Sequence, residues 1–230
     1  MHVLRYSCHS PAHNLAWDEW LLHCVEAGQY TAGICRLWES PVDFVVLGLS
    51  KTIAMDVNRA TCDVDGVPIF KRCSGGGTVV QGSGCLNYAF ILPISMAPSL
   101  QAIPTTTTFV LGMVMQALAP HCSNVQMAGI SDLVIDHKKF SGNAQRRLRH
   151  TILFHGTILY NADLTKVTRY LKEPLIQPDY RQKRSHSQFI DNIPLTQHTL
   201  IMALAANKIP MDSTTLPPIP ADLLKKYQPL

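Results

Sequence analysis

Lys71-Arg72-Cys73-Ser74-Gly75-Gly76-Gly77-Thr78 directly follows a short apolar run that contains a proline, Val67-Pro68-Ile69-Phe70. Three consecutive glycines leave a turn without side chains, so its backbone N–H groups can approach an anionic group closely. The same glycines are typical of a flexible hairpin tip, and their spacing alone does not choose between the two interpretations. Arg72 favours the anion cradle, because its planar guanidinium matches phosphate and carboxylate groups.

Two common nucleotide-binding motifs are absent from the chain. Gly48-Leu49-Ser50-Lys51-Thr52 imitates the tail of a P-loop, but no glycine immediately precedes its lysine. The glycine run 75–77 does not fit the G-x-G-x-x-G fingerprint. The sequence therefore excludes a P-loop nucleotide-binding site and does not support a dinucleotide-binding fold.

A second polar segment lies farther along the chain, at Asp136-His137-Lys138-Lys139-Phe140-Ser141-Gly142-Asn143. We expect it to form a loop between two strands, in which a lysine before the Ser-Gly turn supplies a point charge for an anion. Two adjacent lysines are more often a solvated turn, from which Lys138 points to solvent. Asp132 is a candidate magnesium contact and equally a residue that caps the turn or holds Lys139 in place.

Strands and helices alternate irregularly. The pattern predicts strands at 34–38, 44–48, 68–72, 86–92, 131–135 and 150–160, and helices at 14–26, 58–65, 105–120, 164–171 and 199–207. Ser40-Pro41 predicts that the first two strands form a hairpin or lie side by side. Because regular β-α-β alternation is missing, we expect an α+β fold with a mixed sheet.

Composition and cysteine usage set the broad class of the protein. With 230 residues, 47% hydrophobic and 16% charged, the chain can bury a large core as one domain. All seven cysteines lie in the first 122 residues without C-x-x-C spacing, which is typical of reduced thiols in the cytosol. The N-terminus lacks the layout of a signal peptide and no apolar run has membrane-spanning length, so we expect a cytoplasmic protein without a membrane partner.

Residues 71–88, KRCSGGGTVVQGSGCLNY, resemble the Arg-Ser-Gly-Gly-Gly signature of the lipoate-protein ligase A family. Three further segments agree in the same order: 14–19 resembles the family's first helix, 131–145 its lysine loop and 155–164 its His-Gly-Thr strand. The family's catalytic domain is related to biotin protein ligases and class II aminoacyl-tRNA synthetases. The resemblance therefore implies a mixed, largely antiparallel β-sheet flanked by helices.

The resemblance also implies a domain organisation. Residues 1–230 are expected to form a single catalytic domain, with a core over about 1–172 and a helical C-terminal extension over 173–230. Many members of the family carry a separate C-terminal accessory domain, for which this chain has no room. A separate accessory subunit is therefore a further expectation.

An acyl-adenylate site follows from the same resemblance. Lys139 is the expected catalytic residue: its ammonium holds the α-phosphate and the acyl carbonyl, then polarises that carbonyl when an acceptor lysine attacks. The expected substrate- and ATP-binding residues are Arg72, Ser74, Gly75, Gly76, Gly77, Thr78, Asn87, Ser141, Gly142, His155 and Gly156. His155 is expected in the wall of the acyl pocket, although a lone histidine in an apolar strand is usually a hydrogen-bonded core residue. Asn87 has a structural explanation of equal weight.

The expected activity is ATP-dependent ligation, in which lipoate and ATP give lipoyl-AMP and the lipoyl group passes to a lysine of an acceptor lipoyl domain. ATP is then a substrate, accompanied by Mg²⁺ whose ligands the sequence does not assign. One alternative is ATP-independent transfer of octanoate or lipoate between carrier proteins through a cysteine thioester. Because no cysteine lies between Lys139 and His155, Cys73 or Cys85 would have to be the nucleophile. The other alternative is a non-catalytic or half-enzyme subunit that needs a partner.

One departure from the family pattern and two basic clusters bear on partners. Gln81-Gly82 stand where many members have His-Asp, so the floor of the pocket or the acceptor entrance is expected to differ. The clusters at 146–150 and 181–186 predict a docking surface for an acidic lipoyl-domain acceptor, or else solvated faces. They lack interleaved aromatic residues, which argues against nucleic acid.

Overall fold

A computed structural model describes all residues from 1 to 230. The strands are β1 (His2–Arg5), β2 (Ile34–Trp38), β3 (Phe44–Leu47), β4 (Ile69–Lys71), β5 (Val79–Gln81), β6 (Cys85–Pro93), β7 (Gln126–Ala128), β8 (Asp132–Ile135), β9 (Lys138–Arg147), β10 (Thr151–Leu159) and β11 (Ile209–Pro210). The helices are α1 (Pro11–Glu26), α2 (Ile53–Asp56), α3 (Arg59–Asp65), α4 (Ile103–Leu118), α5 (Thr165–Tyr170), α6 (His186–Phe189), α7 (Gln197–Ala205) and α8 (Ala221–Lys226). Short 3-10 turns lie at Ile94–Met96, Pro98–Leu100, Asp179–Arg181 and Ser213–Thr215.

The strands form two sheets. The large sheet has eight strands in the order β11-β1-β2-β6-β10-β9-β8-β7, and the small one has three in the order β4-β3-β5. In the large sheet only β1 pairs in parallel, with β2 and with β11, and the remaining neighbours are antiparallel. The expected α+β class with a mixed, largely antiparallel sheet is therefore confirmed.

Helices cover both faces of the large sheet, because its central strands alternate between two apolar clusters. Phe90 on β6 and Phe154 on β10 belong to the cluster that also contains residues of α4 and α7. Their neighbours Ile91 and Leu153 point to the opposite face, where they pack with residues of α1. Each such fully buried side chain contributes roughly 1.5–3 kcal/mol, so this two-sided core holds the sheet rigid beneath the candidate site.

A buried polar contact fixes α1 against β2. Arg36 on β2 is fully buried, and its guanidinium donates to Asp18 Oδ1 at 2.6 Å, to Asn14 Oδ1 at 2.7 Å and to the Tyr6 carbonyl at 3.0 Å. A buried charge of this kind is tolerated only when it is paired and hydrogen-bonded. The contact sets where Asp18 lies in the fold.

Two expectations about local structure are wrong. β2 and β3 do not form a hairpin or lie side by side, since β2 belongs to the large sheet and β3 pairs with β4 and β5 in the small one. The expected loop around Lys139 is part of the ten-residue strand β9. The chain turns earlier, at Asp136 and His137, where φ is 48° and 62°. Backbone pairing with both β8 and β10 overrides the polar composition of this segment.

The C-terminal residues are integrated into the fold. β11 pairs with β1 at the edge of the large sheet, and Tyr227 is buried in a cluster with Phe44 and Phe70 of the small sheet. The last residue, Leu230, donates its backbone N–H to the carbonyl of Ile69 at 2.8 Å. None of the helices combines the length and the apolar character that crossing a bilayer requires.

Candidate active site

A cleft of about 960 Å³ lies between the two segments that the sequence singles out. One wall is formed by the glycine loop, which we define as residues 72–78 between β4 and β5. The facing strands β9 and β10 contribute Lys139 and His155, and residues 176–180 add a further wall. Gly75 to Gly77 and Lys139, distant in sequence, thus line one cavity.

Arg72 binds its own loop. Its Nη2 donates to the carbonyls of Gly75 and Gly77 at 2.6 and 2.8 Å, and its Nε donates to Ser74 Oγ at 3.0 Å. Burial lowers the pKa of Arg72 to about 10, so the guanidinium remains charged at neutral pH. The expectation of a free fork is therefore corrected: Arg72 shapes the glycine loop and places a fixed positive charge at the cleft wall.

The shape of the glycine loop depends on two glycines. Gly76 has φ +87°, a conformation that residues with a Cβ rarely adopt. A Cβ on Gly48, which the sequence did not indicate as a site residue, would lie 2.1 Å from the Gly76 carbonyl oxygen. At Gly75 and Gly77 an added Cβ would meet nothing within 4 Å, so the loop has open space beside it.

Ser74 and His155 tie the loop to the sheet. Ser74 Oγ lies 2.5 Å from His155 Nε2, and His155 Nδ1 lies 3.9 Å from Asp18 Oδ2. Ser74 is buried and does not line the cleft, and its expected substrate contact stays a prediction. Burial, and then the charge of Arg72, lower the pKa of His155 to about 3. The imidazole that lines the cleft is therefore neutral.

Lys139 is paired with an acidic residue on the next strand. Its Nζ lies 2.8 Å from Asp132 Oδ1, and Tyr180 donates its hydroxyl to Asp132 Oδ2 at 2.6 Å. A Cβ on Gly142 would lie 2.8 Å from the Lys139 Nζ, so the glycine provides the room in which this side chain lies. Asp132 thus holds Lys139 in place, as one of the sequence interpretations proposed.

The magnesium interpretation of Asp132 fits the site poorly. Both carboxylate oxygens already have partners, and the structure contains no group of three or more His, Cys, Asp or Glu side chains suited to a metal ion. These residues do not form a protein-held magnesium site.

Asn87 belongs to a closed hydrogen-bond ring in the cleft floor. It donates to Gln81 Oε1 at 3.0 Å, Gln81 donates to Thr157 Oγ1 at 2.6 Å, and Thr157 donates to Asn87 Oδ1 at 2.7 Å. All three residues line the cleft. Because these amides and the hydroxyl satisfy one another, the ring fixes the shape of the floor.

The residue after Gln81 explains the departure from the family pattern. A Cβ on Gly82 would lie 2.1 Å from Asp43 Oδ1. Asp43 itself pairs with Lys166 at 2.7 Å. A carboxylate from another part of the chain therefore occupies the space next to position 82.

Of the remaining predicted site residues, some line the cleft and others lie buried beside it. Thr78 lines the cleft and donates to Asp56 Oδ2 at 2.6 Å. Gly156 lines the cleft, and its missing side chain makes room for Asn143, whose Oδ1 would lie 1.7 Å from an added Cβ. Ser141 is buried within β9 and does not line the cleft, and its expected binding role stays a prediction.

Residues 176–180 contribute an unexpected polar group. Gln177 lines the cleft and donates its Nε2 to the Pro174 carbonyl at 3.1 Å. Its Oε1 is buried and is the only such side-chain oxygen or nitrogen in the structure without a hydrogen-bond partner. A buried acceptor without a donor is costly, so Gln177 is a locally unfavourable feature of this wall.

The two cysteines near the glycine loop are not poised as nucleophiles. Cys73 and Cys85 are buried. Burial raises the pKa of the Cys73 thiol to about 11 and that of Cys85 to about 12. Both thiols are protonated at neutral pH, and a protonated thiol is a poor nucleophile.

Four arginines of the two basic clusters make contacts within the chain. Arg146 donates to the Cys73 carbonyl at 3.1 Å, and Arg147 donates to the Leu100 carbonyl at 2.7 Å. Arg181 is buried against Glu173, and Arg184 donates to the Tyr180 carbonyl at 2.9 Å. Arg149 and Lys183 are exposed, and the docking surface for an acidic acceptor stays a prediction.

Residues 10–203 match the family model described as the lipoyl protein ligase A/B catalytic domain. Among curated proteins, the chain is 32% identical over 161 residues to the probable lipoate-protein ligase A of Mycoplasma pneumoniae, covering 70% of this chain and 46% of that protein. It is 28% identical over 162 residues to lipoate–protein ligase 1 of Staphylococcus aureus, covering 70% and 47%. The chain thus spans about half the length of the curated relatives it matches.

Solved structures resemble the fold over nearly the whole chain. The bipartite lipoate protein ligase of Thermoplasma acidophilum, described with its E2 lipoyl domain, superposes with a TM-score of 0.77 at 18% identity, covering 98% of this chain and 90% of that one. P. falciparum LipL1 in complex with lipoate gives a TM-score of 0.70 at 22% identity, covering 88% and 60%. At 18% and 22% identity, these structures show only that the fold is shared. Membership of the family rests on the family model, which covers most of the sequence. The chain belongs to the lipoyl protein ligase A/B catalytic domain family.

Proposed function

We propose that this protein is a lipoate-protein ligase that activates lipoate with ATP to lipoyl-AMP and transfers the lipoyl group to a lysine of an acceptor lipoyl domain. The observation that carries the proposal is the meeting of Lys139 and the glycine loop in one cleft. In this proposal residues 1–230 act as a single catalytic domain.

The charges in the cleft support adenylation. This reaction brings a carboxylate close to the α-phosphate of ATP, and both groups are anionic. Arg72 supplies a fixed cation behind the glycine loop, and Lys139 supplies a second cation on the facing strand. Preorganised charges of this kind stabilise the transition state without reorganising during the reaction.

Lys139 can serve both half-reactions. Its ion pair with Asp132 joins side chains that are 28% and 15% exposed, and both residues line the cleft. Anionic substrates can therefore compete with Asp132 for the ammonium. The ammonium then lies beside the phosphate and the carbonyl oxygen, and later polarises the carbonyl as the acceptor lysine attacks.

The size of the cleft supports two substrates bound together. Its volume of about 960 Å³ lies at the upper end of the range of common ligand sites.

The named relatives support the same reaction. One structural neighbour is described as LipL1 in complex with lipoate, and another as a lipoate-protein ligase A bound with ATP. Seven free cysteines support a reducing compartment, and we propose the cytoplasm. Magnesium would arrive with the phosphates of ATP, because no protein cage for it is present.

ATP-independent acyl transfer is less well supported. It requires a thiolate near the cleft, and both Cys73 and Cys85 are buried, with pKa values raised by burial to about 11 and about 12. The chemistry of the site therefore favours the adenylate over a thioester.

A second candidate is a catalytic subunit that works only with a partner polypeptide. The observation that favours it is the similarity to the bipartite ligase of Thermoplasma acidophilum, whose matched chain is covered to 90% by this fold. The substrates and the reaction would be unchanged. The difference would be that the isolated chain binds lipoate and ATP without forming the adenylate.

The test is mass spectrometry of an isolated lipoyl domain after incubation with the purified chain and lipoate, octanoate or biotin, with and without ATP. A mass gain of one lipoyl group that requires ATP, together with lipoyl-AMP in the absence of acceptor, is the expected result. Acyl transfer from a carrier protein without ATP would overturn the proposal. Binding of both substrates by calorimetry without adenylate would favour the partner-dependent subunit.

A further inference from the structure

We infer that the C-terminal helix α8 is a positioning element of the candidate active site, acting through Glu19 on Cys73 at the start of the glycine loop. The inference builds on the proposed function, since the loop is taken to bind substrate. α8 lies beyond residues 10–203, the part of the chain that matches the family model.

Glu19 is the centre of this arrangement. It lies on α1 with only 1% of its surface exposed, yet its carboxylate is surrounded by donors from two other parts of the chain. Lys226 Nζ lies 2.6 and 2.7 Å from its two oxygens, and the Tyr227 hydroxyl donates at 2.5 Å. Arg146 of β9 lies 3.2 Å from it. Helices α1 and α8 and strand β9 therefore meet at one buried carboxylate.

One of these donors also touches the glycine loop. Arg146 Nη1 donates to the Cys73 carbonyl at 3.1 Å. Cys73 is flanked by Arg72, which shapes the loop, and Ser74, which contacts His155. Arg146 therefore links the Glu19 carboxylate to the glycine loop.

The charge on Glu19 makes the arrangement sensitive to the loss of a partner. Burial opposes ionisation, but hydrogen bonds from Lys226 and Tyr227 outweigh it and lower the pKa of Glu19. Glu19 is thus a carboxylate at neutral pH that has exchanged water for these donors. When one donor is removed, the remaining ones must shift to satisfy the charge. Because Arg146 also donates to the Cys73 carbonyl, we expect the shift to reach the glycine loop.

The residues after α8 make further contacts near the glycine loop. The Tyr227 ring is 1% exposed and packs with Val46 and Phe70, which belong to the strands of the small sheet next to the loop. Leu230 donates to the Ile69 carbonyl at 2.8 Å on β4, the strand that leads into the loop. The residues that follow α8 therefore pack against the strands that flank the glycine loop.

The test compares Tyr227→Phe and Lys226→Met with the matched control Lys225→Met in the full chain. Tyr227→Phe keeps the buried ring and removes only the hydroxyl. Lys225 is an exposed neighbour on α8 without an ion pair to Glu19. The measurements are amide hydrogen exchange of residues 72–78 without substrates, thermal melting, and kcat and KM for ATP in lipoyl-AMP formation.

We expect Tyr227→Phe to speed exchange in residues 72–78 and to lower kcat/KM for ATP by about tenfold, the size that loss of one hydrogen bond to a charged group permits. Lys226→Met should give a smaller change in the same direction, because its ammonium is 46% exposed. Lys225→Met should match wild type. Exchange elsewhere in the chain should be unchanged in all three.

Unaltered loop exchange in both Tyr227→Phe and Lys226→Met would overturn the inference, as would a uniform rise in exchange over the whole chain. The exchange measurement needs no catalysis. If wild type forms no lipoyl-AMP, the proposed function fails while the positioning role of α8 is still decided by the exchange of residues 72–78.

Discussion

Lys139 and Asp132 face each other across neighbouring strands β9 and β8, with Nζ 2.8 Å from Oδ1. The pair lies in the wall of the cleft opposite the glycine loop, and Tyr180 holds the second carboxylate oxygen at 2.6 Å. The ammonium is therefore oriented before any substrate binds. The orientation of Lys139 depends on backbone pairing between β8 and β9. Both strands are far in sequence from the glycine loop at residues 72–78.

Removing the Lys139 ammonium should abolish most adenylation without unfolding the protein. We expect Lys139→Ala to reduce kcat for lipoyl-AMP formation by about 10²–10³-fold, the range found when a group that stabilises transition-state charge is lost. Stability should fall by about 1–3 kcal/mol, because the largely buried Asp132 carboxylate loses one of its two partners. Pyrophosphate release and thermal melting measure the two effects.

The neighbouring lysine provides the control for this experiment. Lys138 pairs with Asp191 at 2.9 Å and does not line the cleft. Lys138→Ala should keep near wild-type kcat. Equal losses of kcat in the two variants would show that adenylation depends on the total charge of this strand and not on the position of Lys139.

His155 should make the protein less stable in acid. Its folded pKa is lowered to about 3, first by burial and then by the charge of Arg72, whereas an exposed histidine has a pKa near 6.5. Between these values the unfolded chain binds the proton and the folded chain does not. Its contribution to the unfolding free energy is therefore lost as pH falls from about 6.5 towards 3, by at most about 1.4 kcal/mol per pH unit.

Urea unfolding of wild type and His155→Gln at pH 7, 6 and 5 measures this effect. The wild type should lose more stability than the variant over this interval, because glutamine does not titrate. Parallel pH profiles for the two proteins would contradict a neutral, buried imidazole.

The cysteines beside the glycine loop should resist alkylation. Burial raises the pKa of Cys73 to about 11 and that of Cys85 to about 12, so very little thiolate exists at pH 7.5. Iodoacetamide should modify partly exposed Cys8 and Cys122 first, as peptide mass spectrometry can show. Cys73→Ala should retain adenylation, whereas rapid labelling of Cys73 or loss of all acyl transfer in that variant would support a thioester route.

Gly82 and Asp43 should show strong coupling. A side chain at position 82 collides with the Asp43 carboxylate at 2.1 Å, so we expect Gly82→Ala to cost about 1–3 kcal/mol of unfolding free energy. The cost should shrink in the Asp43→Ala background, which removes the colliding atoms. A double-mutant cycle by urea unfolding measures the coupling energy.

Gly112 on helix α4 is the control for the glycine substitution. An added Cβ there meets nothing within 4 Å, so Gly112→Ala should stabilise the protein by about 0.5–1 kcal/mol. Additive effects of the changes at 43 and 82 would disprove the steric interpretation.

The predictable part of the fold came from strong local periodicity. The buried strands β6 and β10 and the amphipathic helices α1 and α4 were expected within a few residues, because runs of apolar residues determine them locally. Short elements such as β5, β7, β11 and α8 were missed. They contain two to six residues and depend on partners elsewhere in the chain, which a local pattern does not contain.

For the candidate site, the sequence by itself determined which residue types are present: a side-chain-free bend next to Arg72, a lysine before Ser-Gly, and a His-Gly pair in a strand. The tertiary structure alone decided their functions in the fold. In the folded protein Arg72 donates to carbonyls of its own loop, and Ser74 and Ser141 are buried. The segment around Lys139, predicted as a loop, forms part of strand β9. The tertiary structure also made Glu19 and Gly48 part of the site's support. Local chemistry follows from residue identity, whereas hydrogen-bond partners and steric neighbours are set by long-range strand pairing and packing, which bring residues together from distant parts of the chain.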